Sequence, residues 1–481
     1  MNYTELMEVD LGKLESAVAD WKSVAEKMQR LGSEARDAMK GKADKARWEG
    51  VNAGVTRDFV GKTVKEFEDL HKEALSIFSV LADAHAELKS IQQQARKVSA
   101  EAKEKGFSIT GRKDGTVLIA DALICEVDGP GQRERDMMQW YADTLTGIVS
   151  HAAEVDAAAV RALRASHGGD PTNAGHASYT SLDEDMLPRA QNLAGLGEGA
   201  DDKQRAELRR LWHSLSPEAR AELWTKHKDD LLAAGLLTPS VKRVAADDGA
   251  GPYDVASPGF GDYWKEFQAN GISNSGDFIG KTDAAWHMDH YLNGTGKSID
   301  LDVDRMLSDE DDAVLRDASS VTLARHEEEW TRQALDAFAR SGGQPVAIPV
   351  ETAGEGYTHD KGPDGTANWY LAVGSAMTNT TGVVTVVPGT DGKPQVSIDY
   401  QVNVWDRYNW DPGKVTPIGP TTVTDADMAR MHTTGLAREF DMRGSSSVQQ
   451  HDMSSGGAWP GPKEPGRDGT RTDIGRNGDA R

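Results

Sequence analysis

Lys45-Ala46-Arg47-Trp48-Glu49-Gly50-Val51-Asn52-Ala53-Gly54-Val55 divides two long amphipathic series. Upstream, Leu11, Leu14, Val18, Trp21, Val24, Met28, Leu31, Ala35 and Met39 recur every three or four residues. That is one face of a helix from about residue 9 to the mid-forties. Downstream, Val60, Phe67, Ala74, Leu81, Leu88 and Ala95 stand seven apart, the heptad of a helix packed lengthwise on partners as in a coiled coil. This second helix covers roughly forty-five residues, or ~65 Å at 1.5 Å per residue. Two glycines and an asparagine at 50–54 stop one helix and free the chain to reverse. The stretch predicts an antiparallel helical hairpin with Trp48 at its bend. Such a hairpin cannot bury a long apolar face unaided and needs a partner hairpin or a third helix.

After Lys105-Gly106 the period changes to two. Phe107-Ser108-Ile109-Thr110 and Thr116-Val117-Leu118-Ile119 flank Lys113-Asp114-Gly115, a β-hairpin signal. A third helix is expected over 132–165, with Met138, Leu145, Ile148, Ala152, Val155 and Ala159 inward. Residues 1–165 therefore read as a three-helix bundle with an inserted β-hairpin at 107–119. Residues 166–261 read as linker with short helices near 202–215 and 217–234, the latter opened by Ser216-Pro217-Glu218.

Residues 262–444 carry six of the twelve tryptophans and six of the ten tyrosines, enough aromatic surface for a core of their own. A helix at 309–341 precedes alternating segments at 346–350, 369–376, 382–387 and 395–405. Asp391-Gly392 lies between the last two and predicts a second hairpin. The expected class is α+β, with an antiparallel sheet packed on helices. Residues 445–481, rich in Gly, Ser, Pro, Asp and Arg, read as a disordered tail.

The 481 residues hold 54 basic and 77 acidic side chains, a net charge of −23. This predicts no nucleic-acid partner, since wrapping phosphates needs a basic surface, and no docking on an anionic leaflet. Residues 1–105 carry 18 basic and 19 acidic side chains, so the excess lies in the remainder. A near-neutral first module suits a protein–protein contact better than substrate chemistry. Cys125 is the single cysteine, so no intramolecular disulfide forms. The first residues lack a basic n-region and an apolar h-region, which predicts no signal peptide. No window approaches the ~18 uninterrupted apolar residues of a transmembrane segment.

Trp48-Glu49-Gly50 between two long helices resembles the Trp-x-Gly helical-hairpin family exported by type VII (ESX) secretion systems. The stretch 45–55 is similar to its actinobacterial long-chain members, in which the hairpin precedes a variable C-terminal region. The resemblance covers about residues 1–105. It implies a protein secreted without a signal peptide and cytoplasmic before export, with a protein partner for its hairpin: secretion machinery, a chaperone or a second copy. Trp48 and Gly50 at the bend, with Phe67, Leu81 and Leu88 on the heptad, are the candidate partner-binding residues. The family's export signal, Tyr-x-x-x-Asp/Glu just beyond the second helix, is missing from 99–106. Its one match, Tyr179-Thr-Ser-Leu-Asp183, lies far downstream and is read as accidental.

The C-terminal region offers several motifs. His287 and His290 are three apart in Trp286-His287-Met288-Asp289-His290 and share a helix face, as zinc or nickel ligands would. The third ligand is missing, His326 being unsupported, so no metal site or cofactor is expected. Gly294-Thr295-Gly296-Lys297-Ser298 ends like a phosphate loop but lacks its first glycine, and Asp300, Asp302 and Asp304 follow, so nucleotide binding is rejected. That acidic triplet lacks the glycine of a calcium loop. No Gly-x-Ser-x-Gly elbow is present.

The densest polar-aromatic cluster spans 399–414 and reaches 432–440. Alternation puts Asp406 and Tyr408 on one face of a strand end. Asp406, Asp411 and Glu439 can supply an acid/base pair, with His432 titrating near neutrality and Arg438 as an anion clamp. Here Asp406 and Tyr408 are faintly similar to the Asp-x-Tyr-Asp…His-Arg arrangement of colicin M-like toxins, which cleave the lipid-linked peptidoglycan precursor. Asn409 replaces the second aspartate and no His-Arg pair follows at short range. The resemblance implies a hydrolase of cell-envelope phosphate esters using Asp406, Tyr408, Asp411, His432 and Glu439. An ordinary strand and turn packed by aromatics is the competing reading.

Three functions follow as expectations. The first is a type VII-associated secreted protein with a helical targeting module and a toxin-like cargo. The second is the envelope hydrolase. The third is an intracellular scaffold.

Overall fold

The computed structural model describes residues 1–45, 51–121, 132–167, 178–239, 249–278, 281–363, 367–389, 392–410, 423–454 and 459. Trp48, Gly50, Cys125, Asp391 and Asp411 lie outside them, as does 460–481. The fold is α+β, and the chain divides into two units. The first comprises 1–124, 141–195 and 200–219; the second takes 125–140, 196–199 and 220–481.

The first unit is built on three long helices. A short helix α1 (Tyr3–Glu8) begins with a capping box in which Asn2 and Glu5 satisfy each other's backbone N–H. Helix α2 (Leu11–Glu34) continues through a π-helical stretch, Ala35–Lys40, into α3 (Gly41–Lys45). Helix α4 (Val51–Glu104) packs on α2 in antiparallel sense. Gln92 Nε2 donates to the Leu6 and Val9 carbonyls at 2.9 and 3.0 Å, and His71 Nδ1 to Ala25 O at 2.9 Å. Further along, Arg36 pairs with Glu68. Contact partners thus fall on α4 as they rise on α2. The expected hairpin stands, within the described residues.

Strands β1 (Phe107–Gly111) and β2 (Val117–Asp121) pair antiparallel. Asp114 closes their turn by accepting the Thr116 N–H at 3.0 Å, and Gly115 takes φ +89°, a conformation L side chains resist. Helix α5 (Gln132–His167) supplies the third rod. Ser166 meets Ser76 of α4 at 2.8 Å and His151 meets Glu87 at 3.3 Å, so α5 runs antiparallel to α4. Helices α6 (Asp183–Ala194) and α7 (Asp202–Ser214) complete the unit. Asp185 and Arg189 of α6 join Arg161 and the buried Glu154 in one ion network, to which α7 adds Glu207. The sequence reading placed 202–215 in a linker and left α6 unread; both helices belong to the bundle.

Two members of the predicted stripe depart: Leu31 of α2, 39% exposed, and Met39 in the π-helical stretch. Met39 is 46% exposed. In the π-helical stretch each hydrogen bond reaches five residues back, so three-and-four spacing no longer follows one face. The heptad, by contrast, faces inward: Leu88 is buried, Leu81 is half-buried, and Phe67 is half-buried beside Gly32.

In the second unit, residues from 220 follow α8 (Pro217–Ala233). Helices α9 (Phe260–Phe278) and α10 (Thr282–Leu292) precede β3 (Ile299–Asp300), α11 (Val303–Ser308) and α12 (Val314–Arg340). Then come β4 (Val346–Glu351), β5 (Glu355–Thr358), α13 (Asn368–Ala372), β6 (Ser375–Pro388), β7 (Pro394–Tyr408), α14 (Asp425–Thr433), β8 (Phe440–Ser445) and β9 (Gln449–Asp452). The β6–β7 hairpin is the axis of the sheet, in register from Met377↔Trp405 to Pro388↔Pro394. Each outer edge is a broken strand: β4 and β5 line β6, while β9 and β8 line β7, and β3 joins β8 in parallel.

Two expectations shift. The alternation at 369–376 is a helical turn, α13, followed by the start of β6. Trp369, Ala372 and Val373 are all buried, so the short apolar run carried no period that distinguishes helix from strand. Ser445 and β9 belong to the sheet, although the sequence placed them in the tail.

The two faces of the sheet differ. One is apolar: Val346, Val384, Ile398, Tyr400, Val402 and Val404 pack with Leu323, Trp330 and Ala334 of α12. The other carries Asn379, Thr381, Asp399, Gln401, Asn403 and Ser445, all buried. Buried amides must find partners, and these find one another. Asn403 Nδ2 donates to Asn379 Oδ1 and Thr381 Oγ1, both at 3.1 Å, and Ser445 Oγ to Asn403 Oδ1 at 2.6 Å. Residues 220–239 dock here: the Leu237 carbonyl accepts from Thr381 Oγ1 and Gln401 Nε2, and Asp399 accepts from Trp224 Nε1 and Lys228 Nζ.

Candidate functional site

Helix α14 starts with a capping box of Thr424 and Asp427 and presents His432 in its last turn. Gly435, at φ +76°, turns the chain back so that Leu436 N–H reaches the Met431 carbonyl. Seven residues after His432, just before β8, Glu439 comes alongside it. The Glu439 N–H donates to His432 Nδ1 at 3.1 Å, and His432 Nε2 lies 2.9 Å from the Gly251 carbonyl. These bonds require the Nε2–H tautomer, with both ring nitrogens engaged.

The Glu439 carboxylate is fully buried. Its Oε1 accepts the Ala250 N–H at 2.7 Å, and Oε2 lies 3.2 Å from Arg407 and 3.9 Å from His432 Nε2. Burial pushes this carboxyl above its ordinary range, against the opposing pull of the Ala250 amide, His432 and Arg407. His432 and Glu439, both among the candidate catalytic residues, are thus brought together. Arg438, expected to clamp an anion, instead stacks on the Tyr253 ring at 4.6 Å.

Asp406 and Tyr408 do share one face of β7, where they pair with Met442 and Phe440 of β8. Tyr408 is buried, stacked on Phe440 at 5.0 Å and edge-on to Trp410 at 5.9 Å. Burial holds its hydroxyl far above the ordinary value, so it stays protonated. Arg407 points the other way. Asp411, the fifth candidate, lies outside the described residues.

A second cluster escaped the sequence reading. His359 Nδ1 lies 2.7 Å from Asp312 Oδ2, and its Nε2 lies 3.2 Å from the Tyr357 hydroxyl. All three are buried. The carboxylate fixes the proton on Nδ1, leaving Nε2 to accept the phenol. Burial lowers the His359 pKa although Asp312 opposes it. Asp406 acts on the same phenol: burial first, then the charges of Asp406 and Asp312, push the Tyr357 pKa well upward. The chain Asp312–His359–Tyr357 can orient and hold a proton. Its sequence signal was slight: Tyr357 and His359 are two apart in an alternating stretch, and Asp312 closes the run Asp309-Glu310-Asp311-Asp312.

The rejected motifs have structural roles. His287 Nδ1 bonds the Ala372 carbonyl at 2.7 Å and His290 Nε2 the Lys297 carbonyl at 2.8 Å. Asp302 caps α11, and Asp304 accepts the Ser447 N–H at 2.9 Å. Among the described residues no group of three His, Cys, Asp or Glu stands ready to hold a metal, and no helix is long and apolar enough to cross a membrane. A cleft of about 20 Å³ beside Ser319, Tyr400 and Trp459 has room for one water.

On the first unit the apolar surface left uncovered is concentrated near the start of α4. Val51, Val55 and Phe59, four apart, are 85%, 63% and 65% exposed. Leu70, Leu75 and Leu31 are also exposed. The heptad residues Phe67, Leu81 and Leu88 are therefore used within the unit, and a different row of α4 faces outward. No family model, curated protein or solved structure matches this chain.

Proposed function

We propose that the chain is a type VII-associated secreted protein, with the helical hairpin as targeting and partner-binding module and the C-terminal α+β unit as toxin-like cargo. The observation that carries this reading is the outward row Val51, Val55 and Phe59, which survives packing of the three-helix bundle. Contiguous apolar side chains in water mark an interaction surface. Lys45, Arg47, Arg57 and Lys62 alternate with Asp44, Glu49 and Asp58 beside the row in sequence, so the fitting partner is a protein with an apolar groove. Tyr179-Thr-Ser-Leu-Asp183, the accidental match, packs on the middle of the second helix and not beyond its end: Tyr179 N–H donates to Ser76 Oγ at 2.7 Å and Leu182 N–H to Asp83 Oδ2 at 3.0 Å.

Export tests the reading. The intact chain should reach the medium of a host with an active type VII system, while Trp48→Ala, Gly50→Ala and Phe59→Asp should be retained with helix content unchanged. Retention of the wild type as well would leave the intracellular scaffold. The buried Asp312–His359–Tyr357 chain, whose phenol feels the Asp406 charge, favours a second reading, the envelope phosphate-ester hydrolase, because buried ionisable groups concentrate at reaction sites. Hydrolysis of the lipid-linked precursor that survives both Asp406→Asn and His359→Gln would exclude this site.

A further inference from the structure

Residues 249–256, Gly-Ala-Gly-Pro-Tyr-Asp-Val-Ala, run through successive turns across the Glu439–His432 pair, with Gly249, Gly251 and Asp254 at positive φ. Their main chain is held at five points. The Ala250 N–H donates to Glu439 Oε1 at 2.7 Å, and the Gly251 carbonyl accepts from His432 Nε2 at 2.9 Å. The N–H groups of Asp254, Val255 and Ala256 donate to the His432 and Thr433 carbonyls at 3.2, 2.8 and 2.9 Å. One side chain anchors the segment: the Tyr253 ring lies 5.4 Å from His432 and 4.6 Å from the Arg438 guanidinium. Shape is constrained as well. A Cβ on Gly249 would overlap Glu439 Oε2, and one on Gly435 would come within 2.7 Å of Asp254 Oδ1.

Main-chain bonds for affinity, one aromatic contact and no room for a side chain at the first residue are means by which proteins recognise a short peptide segment. We propose that Glu439, His432, Thr433 and Arg438 form a peptide-binding groove, and that residues 249–256 are its resident ligand in cis. The ligand class is a turn-forming peptide with glycine at its first and third positions, where φ is positive, and a tyrosine at the fifth. The groove goes beyond the export reading and holds whether or not the unit is cargo. While the segment is seated, His432 has no ring nitrogen to spare and Glu439 is closed from solvent.

A tethered ligand competes at an effective concentration in the millimolar range, so an added peptide binds only when the tethered one is expelled. The probe is a fluorescein-labelled decapeptide with the sequence of residues 249–258, titrated by anisotropy into full-length wild type and into Gly249→Val. At least tenfold tighter binding to the variant is expected, lost when the peptide's tyrosine is replaced by alanine. Equal binding to both, or none to a variant with wild-type circular dichroism and melting, overturns the proposal. Should the variant fail to fold, hydrogen exchange on the wild type decides. The amides of Ala250, Val255 and Ala256 should exchange at least tenfold faster than those of β6 and β7. Exchange together with the sheet would make the segment part of the core and end the idea.

Discussion

Glu439 binds its proton more tightly folded than unfolded, because burial outweighs Arg407, His432 and the Ala250 amide. Its stabilising contribution is complete below the ordinary carboxyl value of about 4.3 and is lost as pH rises through the raised one. Urea unfolding should therefore show the wild type losing ground to Glu439→Gln between pH 4 and neutrality. His359 has the opposite sign. Its lowered pKa means that stability present above the ordinary value of about 6.5 is lost as pH falls through the folded value. Proton NMR of the imidazole should place its midpoint below that of a histidine in an unfolded peptide, and Asp312→Asn should lower it further. Asp406, Tyr408, His432 and Glu439 were legible in sequence as a polar cluster within forty residues. Asp312 and His359 were not, since forty-seven positions separate them and only the fold closes that distance.

Glycines at the element scale show how tightly the sheet edge is built. A Cβ on Gly444 of β8 would overlap the Leu301 carbonyl oxygen and come within 2.9 Å of Leu301 Cβ and of Val303 Cγ2. Neither the backbone nor a β-branched neighbour yields readily, so Gly444→Ala should cost roughly 1–3 kcal/mol by overpacking, read by urea denaturation. The long helices and both hairpins announced themselves by sustained periodicity and Asp-Gly turns. Residues 369–376 did not, because five to eight apolar residues suit either a helical turn or a strand. Phe67, Leu81 and Leu88 show a related ambiguity. A heptad says that a helix packs lengthwise, but the partner here is the chain's own bundle, and the outward row at Val51, Val55 and Phe59 has too few members to stand out in sequence.

At the scale of the whole molecule, the sequence placed an independent domain at 262–444. The structure gives that sheet obligations beyond both limits. Asp399, Gln401 and Thr381 are satisfied by Trp224, Lys228 and the Leu237 carbonyl, Glu439 by Ala250, and β7 by β9. A buried amide or carboxylate stripped of its partner costs about 1–3 kcal/mol, and several are stripped at once. A fragment of 262–444 should therefore be insoluble or molten, whereas 217–459 should melt cooperatively by circular dichroism. The extra pieces were invisible from sequence because 220–239 reads as an ordinary short helix and β9, Gln449-Gln450-His451-Asp452, has no apolar member.

The polar face of the sheet also has a calorimetric consequence. Exposing apolar surface raises heat capacity, whereas exposing polar surface lowers it. Unfolding this unit uncovers valines from one face of β6 and β7 but asparagine, glutamine, threonine and aspartate from the other. The two contributions offset, so its gain in heat capacity should fall below the usual ~12–15 cal/mol/K per residue. The curve of stability against temperature is correspondingly shallow, and the unit loses less on cooling than a sheet packed with aliphatics on both sides.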